Sequence, residues 1–224
     1  MDHESVKPHT AVGRSLRTPR AAAIAGVVFS LLLTSALVLV RLAVRADVGI
    51  DNTWVTDAGR TRLVALALHL VPFSGIAFLW FIGVLRDRIG QYEDRFFATV
   101  FLGSGLMFVA MLFVASGVMA GLLADAAVSR TESLAGAWGL GRRIAAVVLQ
   151  TYAMRMAAVF TVATATIGLR TRFMPRWIGY LGYAIALILL LVIDITPWVQ
   201  VLFPLWILLL SIDTLIESFG RDRA

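Results

Sequence analysis

Apolar residues in this chain come in long runs, and polar residues come in short interruptions between them. The runs cover residues of about 21–43, 63–85, 96–122, 144–169, 177–193 and 199–218. A helix rises about 1.5 Å per residue, so some 20 apolar residues cross the ~30 Å hydrocarbon core of a bilayer. The pattern predicts an all-α, polytopic integral membrane protein, a bundle of six transmembrane helices. The run from Phe96 to about Leu122 exceeds what the bilayer needs, which predicts tilt or protrusion. In "DITPW", residues 194–198, Pro197 prevents helix continuation and predicts a tight turn.

The cations flanking the runs predict the orientation. With the N-terminus inside, the inner segments hold Lys7, Arg14, Arg17, Arg20, Arg86, Arg88, Arg95, Arg170, Arg172, Arg176, Arg221 and Arg223. The outer loops then hold Arg45, Arg60, Arg62, Arg130, Arg142 and Arg143. Twelve against six places both termini in the cytoplasm under the positive-inside rule. Residues 1–20 read as a disordered basic tail suited to anionic lipid headgroups, residues 21–218 as the membrane domain, and 219–224 as a short inner tail. Trp177 and Trp198 bracket the fifth run as an aromatic belt would. The outer segments 45–62 and 123–143 read as polar, glycine-bearing connectors.

Composition strengthens this picture. The chain is 59% hydrophobic and 15% charged, where soluble domains run near 45–50% and about 25%. A formal charge of +6 would suit nucleic acid, but the cations punctuate apolar runs instead of forming a basic domain. Lys7 is the only lysine, an arginine bias typical of GC-rich bacterial genomes, so a bacterial cytoplasmic membrane is the expected location. The first run is too long for the apolar core of a cleaved signal peptide, and an uncleaved first helix is expected. Without cysteine there is no disulfide, thiolate metal site or thiol nucleophile.

Few polar residues interrupt the runs, and these are the candidates for chemistry. Arg155, in "VVLQTYAMRMAAVF", lies about 16 Å into the fourth run, near the midplane. A charge there costs about 2.5–3.5 kcal/mol on insertion scales, so an interior position and a partner are expected. Asp213, in "LLLSIDTLIES", lies about one turn deeper and is the expected partner if the fourth and sixth helices touch. His69 sits in the second run, and Gln150 and Thr151 precede Arg155 by five and four residues. One reading makes Arg155–Asp213 a register-fixing ion pair, with His69 bonded to a nearby carbonyl. The other gathers Arg155, Asp213, His69, Gln150 and Thr151 around a polar cavity for an anion or a proton path. Pro72, three residues after His69, frees the Leu68 carbonyl and predicts a kink. "GSG" (103–105) and the GxxxG pair Gly117 and Gly121 predict close helix approach, chiefly within the chain.

The loop "GVLRDRIGQ" carries Gly83, Leu85, Asp87, Arg88 and Gly90. It resembles the G-x-L-x-D-R-x-G signature that major-facilitator transporters carry between neighbouring helices, where the aspartate and arginine brace helix ends during alternating access. The resemblance covers nine residues, and "QYEDR" replaces the basic residues that usually follow. It implies a half-size unit needing a partner or a second copy. No HExxH, GxSxG or phosphate-cradling glycine loop occurs, so neither a catalytic cluster nor a metal or cofactor site is expected. Only Asp47, Asp51 and Asp57 of the first outer loop could serve a lipid-acting enzyme. The expectation is a non-enzymatic accessory or assembly subunit, the alternative a small transporter with Arg155 and Asp213 in its path. The bilayer is the expected partner, together with a second copy or another membrane protein, and no nucleic acid.

Overall fold

A computed structural model of the chain describes residues 19–43, 57–89, 95–128, 135–191 and 197–221. These residues form six helices and no strand. Helix α1 spans Pro19–Ala43, α2 Ala58–Ile89 and α3 Arg95–Val128. Helix α4 runs as Ala135–Val147, passes through a π-helical turn Val148–Ala153, and resumes as Met154–Thr171. Helix α5 spans Arg176–Leu191, and a 3₁₀ turn Pro197–Val201 leads into α6, Leu202–Arg221. Five helices are long and apolar enough to cross a membrane, and α5, at 16 residues, is a shorter apolar helix. The tail 1–18 and "DITPW" as a whole fall outside the described residues, although Pro197 does open a helical turn.

Each helix packs on its sequence neighbours, and α6 closes the ring against α1. The α1–α2 and α1–α6 seams are the most extensive of those α1 makes. Gly26 of α1 faces Ser211 and Phe81 so closely that a Cβ there would clash with both, which explains how α1 fits between α2 and α6. Gly105 has the same role on α3, where a Cβ would lie 3.1 Å from Phe160 and closer still to Ile82. Gly117 and Gly121 depart from expectation: both are exposed, with nothing near a Cβ, so this GxxxG pair faces out of the bundle.

Phenylalanine fills the ring. Phe29, Phe78, Phe108, Phe160 and Phe203, one from each of five helices, are all fully buried. Phe78 lies 4.5 Å from Phe29, 5.3 Å from Phe108, 5.1 Å from Phe160 and 5.9 Å from Phe203, centroid to centroid. Most neighbouring rings are tilted or edge-on, the arrangement the ring quadrupole favours. The exterior is equally apolar, with Trp80 69% and Leu191 68% exposed. Lipid tails leave no penalty on such a surface, and buried hydroxyls such as Ser30, Thr161 and Thr164 return to the i−4 carbonyls of their own helices.

The helices extend past the apolar runs. The segment 123–143, expected to be a connector, is helical at 123–128 and from 135 onwards. Gly136, Gly139 and Gly141 therefore belong to α4, and Gly141 packs against Leu122 of α3. Likewise Ala58–Arg62 opens α2, with Asp57 as its cap. Its Oδ1 accepts the Gly59 N–H at 2.8 Å and the Arg60 N–H at 3.4 Å. This satisfies donors that the first turn leaves open. Helix α2 also runs unbroken through Pro72.

Candidate functional site

The ring is solid at its phenylalanine cluster and hollow on one side of it. A cavity of about 360 Å³ opens among α1, α2, α3, the first half of α4 and the 3₁₀ turn. Leu33 and Leu37 of α1, Val71 of α2, Leu112 of α3 and Leu149 of α4 form its apolar walls. Leu33 and Leu112 stand four residues, about 6 Å, from Phe29 and Phe108, so the chamber ends about one helical turn from the ring cluster. The polar lining residues are Arg41, Arg142, Arg143, Ser116, Gln150 and Gln200.

These polar groups are not scattered. Arg41 lies in the last turn of α1, about 12 Å along the helix from Leu33. On α4, Arg142 and Arg143 precede Gln150 by about 10–12 Å. The chamber is thus cationic at its rim and apolar at its floor. No described lining residue is acidic, and among the described residues no carboxylate pairs with these three arginines. Arg41 and Arg142 are half-buried and Arg143 is exposed. Gln200 is 1% exposed, and its Nε2 is buried without a hydrogen-bond partner.

The π turn shapes one wall. A π turn widens the helix and places an additional residue on one face, a feature frequent at functional positions. Here it contains Leu149 and Gln150, both of which line the chamber. Thr151 lies in the same turn, and its carbonyl accepts a hydrogen bond from Arg155 Nη1 at 3.1 Å. Arg155 is half-buried and reaches back along its own helix.

The polar residues singled out in sequence do not converge. Asp213 Oδ2 is buried with no hydrogen-bond partner, so Arg155 does not bond to that oxygen. Helices α4 and α6 touch only sparsely, because α5 stands between them in the ring. His69 faces outward, and its Nδ1–H donates to the Ala65 carbonyl at 2.7 Å. Gly83 is exposed with open space around it. Asp87 and Arg88 fall in the last turn of α2, their side chains outside the described residues, as is Gly90. Of the outer aspartates, Asp57 caps α2, while Asp47 and Asp51 lie outside the described residues.

Gln150 is the one expected residue in the chamber. Arg41, Arg142, Arg143 and Gln200 escaped notice because each sits at the end of an apolar run, where cations and amides are ordinary. The signal was available: all four fall at run ends on one predicted side of the membrane. The ring and its apolar exterior define a multi-pass helical membrane protein. No family model matches the chain, and neither does any curated protein or solved structure.

Proposed function

We propose that this protein is a non-enzymatic accessory or assembly subunit of a bacterial cytoplasmic membrane, with both termini in the cytoplasm. The observation that carries the reading is the phenylalanine cluster. Five rings from five helices occlude the axis of the bundle, which suits a scaffold better than a conduit. The outward GxxxG pair on α3 supports a helical partner, a second copy or another membrane protein, because small residues permit close backbone approach. The basic tail then lies on the side where anionic headgroups attract cations.

Ser30 tests the reading, since it is 1% exposed beside Phe29 and the chain has no cysteine. A Ser30→Cys variant in native membranes should resist water-soluble maleimide from either side, and the protein should co-purify with a partner at fixed ratio. Labelling of that cysteine at a rate near that of an exposed site would sink the scaffold reading.

A second reading, a small transporter, has its own support in the π turn next to Arg155. Such irregularities let helices rearrange around a site near the midplane. It requires the ring cluster to part, which the same cysteine would report.

A further inference from the structure

The chamber has a composition that neither reading uses. Its floor and walls are hydrocarbon, its rim carries Arg41, Arg142 and Arg143, and no described residue neutralises them. A proton pathway would need titratable groups inside, and a small polar solute would need hydrogen-bonding walls. Instead the charges are confined to one end, and the other polar groups are two amides and the Ser116 hydroxyl, which donates to the Phe113 carbonyl of its own helix. Gln200 adds an independent observation: this lining residue carries a buried amide nitrogen that has a donor and nothing to receive it. Leaving a buried polar group unsatisfied is unfavourable, and an acceptor atom of a bound ligand would satisfy it.

We propose that the chamber binds one anionic membrane lipid, with its phosphate held at the arginine rim, one aliphatic chain lying against Leu33, Leu37, Val71 and Leu112, and an ester or phosphate oxygen accepting from Gln200. The charge pattern matches the headgroup and the apolar walls match the chain. Guanidinium groups suit phosphate because their planar N–H forks engage two oxygens together. The volume of about 360 Å³ falls within the range of ordinary small-molecule sites, about 300–1,000 Å³. The two half-buried arginines distinguish this rim from surface charges that merely attract headgroups. The inference holds whether the protein is a scaffold or a transporter.

The purified full chain would be placed in nanodiscs of phosphatidylcholine containing graded phosphatidylglycerol, and lipid retention counted by native mass spectrometry. One phosphatidylglycerol should be retained per protein, in clear preference to phosphatidylcholine. Neutralising the rim should weaken retention about fivefold per arginine and about 100-fold in the triple variant R41Q/R142Q/R143Q. A tryptophan at Ala115, which lines the wall, should abolish retention with the arginines intact. Dodecyl phosphate should raise the melting temperature of the wild type in neutral detergent, while inorganic phosphate at equal concentration should not. Equal retention of the two lipids, or equal stabilisation by both phosphates, would overturn the proposal. The comparisons on the wild type decide the matter even if a variant fails to fold. The proposal requires the rim to carry net positive charge in the folded wild-type protein. A neutralised rim would leave the wild-type protein with no preference for the anionic lipid, and the proposal would fall.

Discussion

Phe78 touches the rings of Phe29, Phe108, Phe160 and Phe203, so truncating it removes contacts to four helices together. Phe78→Ala should cost about 3–5 kcal/mol, the range for large-to-small changes in tight cores, read by denaturant titration in mixed micelles. Gln200→Leu should act in the opposite direction. It removes a buried donor with no partner, so stability in neutral detergent should hold or rise by about 1 kcal/mol. Arg155 and Asp213 were natural partners by depth, since each could be placed along its own helix axis by counting residues. Counting says nothing about azimuth, and the guanidinium bonds to Thr151 in its own helix while Asp213 Oδ2 has no hydrogen-bond partner. The Arg155→Ala, Asp213→Ala double-mutant cycle should therefore be additive within about 0.5 kcal/mol, whereas strong coupling would restore the ion pair.

Helix ends and irregularities were harder to see than helix cores. The segment Ala135–Arg143 looked like a connector because Gly136, Gly139 and Gly141 weaken helix propensity. Packing overrides that preference: Trp138 is buried in a small cluster with Ala43 and Val64, and Gly141 lets α3 approach. The π turn at Val148–Ala153 had no signal, for "VLQTYA" holds neither glycine nor proline. Its stability comes from neighbours, chiefly α3 along its length. The cap of α2 was visible only as one of several loop aspartates. Replacing Asp57 by alanine should destabilise the protein by about 0.5–2 kcal/mol and speed amide exchange in the first turn of α2. An unchanged exchange pattern would mean that α2 is held by its membrane contacts alone.

The ring of six helices sets what each end of the protein offers. Gly26 of α1 meets Ser211 of α6, so Pro19 and Arg221 lie at one end, and the chamber opens toward the other. Under the proposed orientation the chamber faces outward. Gln150→Cys should then react with impermeant maleimide added to intact cells, while the rate for Ser30→Cys should be lower by at least tenfold. Labelling of the chamber cysteine only in inverted vesicles would reverse the topology. The membrane class, the helix count and the approximate spans were legible from residue order. A bilayer demands about 20 apolar residues per crossing and internal backbone pairing, and both constraints act on each segment separately. The rotation of each helix about its own axis was not legible, because lipid and protein interior are both apolar and hydropathy cannot tell them apart. That rotation turns His69 outward, leaves Asp213 Oδ2 without a hydrogen-bond partner, and brings Arg41, Arg142, Arg143 and Gln200 around one chamber. It is set by side-chain packing between helices, by Gly26 and Gly105 fitting their neighbours and by five rings meeting at the centre.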